Sequence, residues 1–421
     1  MFRYLFFLFF LFFFISKSEV FDEYTSNKIK TVLLHNIENK LVDPTIQLNS
    51  NDKIQLSFDE LGTDMNNYTY SFIHCDYEWK KSDLLPSEYI DGFTENYIDN
   101  FSFSFNTNID YVNYKCQFPN ESINFLISGN YILLVKNESD GEIVIKRKFV
   151  VYEKIAQLNA IVKRATFVNN IDSKQEIDFE IFYSNLNVLN PIDEIKVVVQ
   201  KNDNWNNTKR NIKPSFIGKN YLEYDYDGEI NFDGGNEFRD FDISSLRFYS
   251  KNIDTIYTKK NNYYNSNIFF VKLLEEKNKT NNPYVEKYDL NGKLLIQKDN
   301  SDFSDSESEY VLVKFSLEKT GLDLNQQIFL FGALSNWTID SDFQLNYNPK
   351  RKKFEKEVLL KQGYYNYKYI IINEDGELNE IIDGNHYETN NEYTIYVYHK
   401  SPWERYDRLI AVEKITSNSL N

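Results

Sequence analysis

Residues 326–337 read QQIFLFGALSNW: an apolar run, a turn of small residues, and a tryptophan. The same order occurs twice earlier in the chain, as YTYSFIHCDYEW at 68–79 and EIKVVVQKNDNW at 194–205. The closing residues, Trp79, Trp205 and Trp337, are spaced by 126 and 132 residues, about the length of one β-sandwich domain. Around these anchors the pattern has a period of two. Ile54, Leu56 and Phe58 alternate with polar neighbours in KIQLSFDEL, as do Ile177, Phe179 and Ile181 in EIDFEIFY, and Tyr393, Ile395 and Val397 in YTIYVYH. A period of two marks strands with one buried face. Composition agrees: 32 Tyr and 34 Phe against 2 Met favour pleated surfaces over helices. The expected fold is all-β, with about three tandem immunoglobulin-like or early-set β-sandwich domains.

Hairpin turns are expected at Asp140-Gly141, Asn291-Gly292 and Asp375-Gly376, because such pairs accept the positive φ of primed turns. The patterning lapses near residue 155 and again in the acidic, serine-rich KDNSDFSDSESEY at 298–310. The implied division is an N-terminal sandwich over 19–153, a middle sandwich over 154–300, a C-terminal early-set sandwich over 305–400, and a tail over 401–421. No linker is long enough to act as a tether, so the units are expected to pack on one another.

Residues 1–18, MFRYLFFLFFLFFFISKS, place Arg3 before a short aromatic and leucine run that ends in small residues. That is the form of a secretory signal peptide, and the run is too short for the roughly 20 residues a bilayer span needs. No cysteine stands at the expected cleavage point, so a lipid anchor is not expected. The mature protein would then be exported. Removing the segment leaves 45 basic residues against 63 acidic ones, a balance of −18, which argues against nucleic acid as a partner. Cys75 and Cys116 fall in the same N-terminal unit, and two readings stand side by side: a disulfide in an oxidising compartment, or two buried thiols.

The chain has no metalloprotease, nucleophile-elbow, P-loop or dinucleotide motif, and its four histidines are scattered. No catalytic residue, metal site or cofactor is assigned, and no small-molecule ligand is expected. The densest acidic stretch, DYDGEINFDGGNEFRDFD at 225–242, has Ile230 where a calcium loop needs glycine. Within it Asn236, Glu237, Arg239 and Asp240 form either a partner-facing loop or an internal brace. In the brace reading, which is preferred, the Arg239 guanidinium is held by Glu237, Asp240 and Asp242.

FLFGALSNWT, with FEKEVLLKQGYYNYKYIII downstream, resembles the early-set modules appended to amylases and glycogen-sensing kinases. That resemblance implies a stacking platform for sugar rings at Trp337, Tyr364 and Tyr365. The recurrence of a tryptophan at the same point in all three units favours a core-closing role instead. A broader resemblance runs from about residue 28 to 412, through HCDYEW, YIDGF, FSFNTN, GNYILLV, GNEFRDFD, ESEYVLVKFSL, LKQGYYNYKYI and GNHYETNNEYTIYVYHK in order. In this the chain resembles the type IX secretion system plug proteins. The resemblance implies a non-enzymatic periplasmic protein that docks on the periplasmic mouth of a large outer-membrane translocon β-barrel and seals its pore. It supplies no contact residues, and a disulfide through Cys116 would be particular to this chain. The alternative is a periplasmic or surface glycan-binding protein working through the C-terminal sandwich. The two differ at Trp337, which the plug reading expects buried and the glycan reading expects exposed.

Overall fold

Aromatic and β-branched residues at every second position give a strand one face to bury, and sheets pair where two such faces meet. The computed structural model describes residues 22–264, 266–372 and 378–417, so the signal segment and the Asp375-Gly376 turn lie outside the described residues. The first sandwich has seven principal strands: β1 (Ile29–Asn36), β2 (Ile54–Leu61), β3 (Tyr68–Cys75), β4 (Asn100–Phe103), β5 (Tyr111–Phe118), β6 (Gly129–Asn137) and β7 (Ile143–Tyr152). One sheet contains β7-β6-β3 and the other runs β1-β2-β5-β4. Between them lies an aromatic core that includes Phe58, Phe72, Tyr131 and Phe149. Asp140-Gly141 joins β6 to β7, with Gly141 at φ 71°.

The second sandwich begins with β8 (Gln157–Arg164), β9 (Lys174–Phe182), β10 (Ile195–Lys201), β11 (Asn204–Lys209) and β12 (Tyr221–Tyr224). The chain then leaves to build the third module. This contains β13 (Arg239–Asp242), β14 (Ile253–Asn261), β15 (Ser266–Leu273), β16 (Tyr310–Glu318), β17 (Gln327–Phe331), β18 (Gln344–Asn348), β19 (Lys353–Lys361) and β20 (Gly363–Ile372). They form one sheet in the order β13-β20-β17-β18-β19-β16-β15-β14, folded over a core that includes Phe241, Phe315, Leu330 and Tyr367. Asn291-Gly292 does adopt left-handed φ values of 50° and 84°. It makes no hairpin, however, because the short strand that follows, Leu294–Ile296, pairs with β20.

The last two strands, β21 (Glu392–His399) and β22 (Arg408–Thr416), return to the second sandwich. β21 pairs with β10 along its length, from Ile195 opposite His399 to Lys201 opposite Tyr393, giving the sheet β11-β10-β21-β22. The boundaries drawn at 300, 305 and 400 are thereby corrected. The middle sandwich is discontinuous, the third module is an insertion within it, and the expected tail over 401–421 carries a core strand. The reason lies in β21 itself. Tyr393, Ile395 and Val397 enter the second core, while Tyr396 and Tyr398 on its other face pack against the first module. A strand buried on both faces needs a central position, and β21 finds one between β10 and β22.

Candidate functional site at the three-module junction

The three repeated tryptophans lie at or near the places where the modules meet. Trp79 and Trp337 both take left-handed backbone conformations, φ 66° and 55°, which cost a bulky residue about 1–3 kcal/mol unless packing holds them. Trp79 is fully buried against the edge of Trp205, with ring centroids 4.7 Å apart, and Trp205 lies 4.8 Å from Tyr396. These rings join the outward face of β3, β6 and β7 to the outward face of β10 and β21. Trp337 meets Phe331 and Phe238 edge-on, at 5.4 and 6.1 Å, and its carbonyl accepts a hydrogen bond from Asn206 of the second module. Gly292 is required beside it, because a Cβ there would stand 2.3 Å from the Trp337 ring. Trp337 is half-buried: a wedge at a module boundary, neither sealed in a core nor presented as a shelf.

Next to these rings a set of charges draws on all three modules. Lys293 of the third module reaches Asp203 of the second at 2.6 Å and Asp43 of the first at 3.3 Å. It also donates to the Leu41 carbonyl at 2.8 Å and lies 3.4 Å from Glu392. Lys414 approaches the same three carboxylates from the other side. Burial, together with the neighbouring Asp203 carboxylate, pushes Asp43 up to about 8. Burial alone would raise Asp203 as well, but its hydrogen bond with Asp43 and the two lysines hold it below the usual carboxylate range. Against burial, Asp203 and Asp43 raise Lys293. Asp43 is therefore the member of the pair that holds a proton more readily, and both are clamped by lysines.

A second buried pair fastens the first module to the third. Lys361 at the end of β19 donates to Asp59 of β2 at 2.6 Å, with both side chains almost wholly inaccessible. Asp59 also accepts from the Tyr310 hydroxyl at 2.6 Å and from Asn113 at 2.7 Å. The ammonium of Lys361 lies 4.1 Å from the centre of the Tyr111 ring.

The charged side chains of the acidic stretch pair within the protein, with partners other than those expected. Buried Arg239 donates from Nε to Asp383 at 2.6 Å and from Nη2 to the Lys277 carbonyl at 2.8 Å, and it pairs with Glu276. Asp240 holds Lys287 and Lys251 and accepts from the Tyr364 hydroxyl, while Asn236 donates to the Asp383 carbonyl. Glu237 accepts from the Tyr284 hydroxyl and the Asn390 amide. The correction follows from strand geometry: Asp240 is adjacent to Arg239 on β13 and points to the opposite face.

The disulfide reading is also corrected, since Cys75 and Cys116 are free thiols. Alternation turns Cys75 outward into the interface with the second module, whereas Cys116 packs against the inner core. Burial pushes the Cys75 thiol up to about 12 and raises Cys116 as well. The proposed sugar platform does not form. Tyr365 is buried and stacked on Phe241 at 5.1 Å, while Tyr364 faces the other way to Asp240. Neighbouring residues on one strand cannot share a face with Trp337. An exposed aromatic edge occurs elsewhere, on β4, where Phe101 and Phe103 are open to solvent and Phe105 continues the alternation just beyond. Sequence reasoning did not find the junction charges, because Asp43, Asp203, Lys293 and Lys414 belong to no local pattern.

Three sandwiches braced to one another by buried aromatic and ionic contacts form one multi-domain scaffold. The chain belongs to the type IX secretion system plug protein family: residues 29–153 match the domain described as type 9 secretion system plug protein 1st domain. It is also similar to a solved structure, a hypothetical protein from Parabacteroides merdae ATCC 43184. The two are 31% identical, the match covers 94% of this chain and 99% of that one, and the TM-score is 0.89. No curated protein matches the chain. Among the described residues no helix is long and apolar enough to cross a membrane.

Proposed function

We propose that this protein is a non-enzymatic periplasmic plug, which docks on the periplasmic mouth of the type IX outer-membrane translocon barrel and seals its pore. The observation that carries this reading is the plug-domain match over residues 29–153. The bracing supports it, because a stopper must keep its shape under load and the modules are tied by buried contacts such as Asp59–Lys361 and Trp79–Trp205. The acidic balance, −18 once residues 1–18 are removed, supports an electrostatic component, since opposed charge sets association rate and specificity at an interface that has to release. Export by the segment 1–18 would bring the chain to the periplasm.

The test is affinity isolation of tagged protein from a detergent extract of the envelope, at low and at raised salt. The expected result is co-isolation of a very large outer-membrane barrel, with recovery falling as ionic strength rises. Deletion of the chain should make the outer membrane permeable to a large periplasmic reporter. A barrel that never accompanies the protein, together with unchanged permeability on deletion, would overturn the reading.

A further inference from the structure

A cavity of about 190 Å³ lies where the three modules meet. Its wall brings together Trp205, Trp337, Tyr396 and Phe149 with polar groups from each module, and Lys40 and Val42 are exposed at its rim. Pockets for small ligands favour such domain junctions, with apolar walls and a few fixed polar groups. A void of about 150 Å³ already admits a benzene ring.

Two features of the wall are left over from folding. The first is unused hydrogen-bonding capacity. Gln200, 1% exposed, accepts the Tyr396 hydroxyl at its amide oxygen and leaves Nε2 without a partner. His35, 5% exposed, uses Nδ1 toward the Asn36 carbonyl and leaves Nε2 without one. The second is a buried cation that makes no ion pair. Arg147, 6% exposed, donates to the carbonyls of Tyr24 and Lys146, to the Thr25 hydroxyl and to the Asn336 amide oxygen, all of them neutral. Glu23 is the wall carboxylate that acts on Arg147, without forming an ion pair, and it acts on the neighbouring Lys148 as well. Asp43 and Asp203 are clamped by Lys293 and Lys414, Lys40 reaches Asp305, and Glu23 accepts from the Lys148 amide. A buried cation without a directly paired counter-ion is costly, and here it stands on the wall of an aromatic cavity inside an acidic protein.

We propose that this cavity is a binding site for a small aromatic monocarboxylate. Its ring would lie among Trp205, Trp337 and Tyr396, and its carboxylate would serve as counter-ion to Arg147 and accept from Gln200. Such a ligand would touch all three modules at once and stabilise the docked arrangement. This departs from the sequence expectation of no small-molecule ligand, and it stands whether or not the protein seals a pore.

The test uses the full mature chain, phenylacetate as the probe and phenylacetamide as its neutral isostere. Phenylacetate is expected to raise the melting temperature saturably and to quench tryptophan fluorescence, with phenylacetamide at least about tenfold weaker because a charge-assisted hydrogen bond is lost. Ala333→Leu, which places a larger side chain on the cavity wall, should abolish both responses. Gln200→Met, of similar volume, should weaken them. Equal binding of the two probes would overturn the role of Arg147. Binding that survives Ala333→Leu would place the site elsewhere. No saturable response to phenylacetate up to about 10 mM, with ordered water on Gln200 and His35 in a crystal, would show a hydrated void and end the proposal.

Discussion

Replacing Lys361 with methionine tests whether buried ionic contacts hold the modules together. The change keeps an unbranched side chain only one atom shorter and removes its charge. Asp59 then loses a donor at 2.6 Å and keeps the Tyr310 hydroxyl and the Asn113 amide. Removing one partner of a buried pair costs about 3–5 kcal/mol, because the remaining charge stays uncompensated. Two neutral donors still solvate the carboxylate, so the lower end, about 3 kcal/mol, is expected. Loss of the ammonium over the Tyr111 ring contributes to this figure at 4.1 Å. The assay is urea unfolding followed by tryptophan fluorescence and far-ultraviolet circular dichroism together, since three modules need not unfold as one. Asp59→Asn removes the other charge, and the double variant should recover at least about 1.5 kcal/mol relative to the sum of the singles. Single variants within about 1 kcal/mol of the parent, or strictly additive losses, would refute the argument.

Stability should also depend on pH through the junction. Asp43 binds its proton more tightly folded than unfolded, so its contribution is complete below about 4 and is lost as pH rises toward about 8. Unfolding free energy is expected to fall across that window by up to about 1.4 kcal/mol per pH unit, and Asp43→Asn should flatten the slope; an unchanged slope would refute the raised affinity of Asp43 for its proton. Intact protein analysed without reductant should show two free thiols, with Cys75 unreactive toward alkylating reagents until unfolding; a mass lower by two hydrogens would refute the placement of the cysteines on opposite sides of a sheet. If the barrel seats on the open edge of β4, Phe103→Asp should leave stability within about 0.5 kcal/mol and reduce co-isolation of the barrel; full recovery would move the docking face elsewhere.

What could be read from sequence was periodic. The alternation in KIQLSFDEL, EIDFEIFY and YTIYVYH put Ile54, Phe179 and Ile395 into cores. Alternation says which face of a strand is buried and nothing about which strand lies beside it. YTIYVYH was therefore assigned to the module just before it in the chain, although it completes the sandwich interrupted more than 150 residues earlier. Arg239 shows the same limit at the scale of one side chain. Its charge and its bracing role were legible from the acidic context, while its partner Asp383 is 144 residues away. The spacing of the three tryptophans was legible, and so was their structural use, but not the half-burial of Trp337, which depends on the absence of a Cβ at Gly292.

The unreadable contacts are also those that remove hinges. The second and third modules are linked by two passages of the chain, because one is inserted in the other. The first module is tied to the second through Trp79 and Trp205, and to the third through Asp59 and Lys361. Each module is therefore restrained by two neighbours, and a closed triangle of contacts cannot bend at one corner without breaking another. Domains joined in a row move by default, whereas bending here would have to break contacts at a second interface. On the proposed plug reading a body that blocks an opening by shape would gain from that property, and the gain would rest on long-range contacts with no local signature.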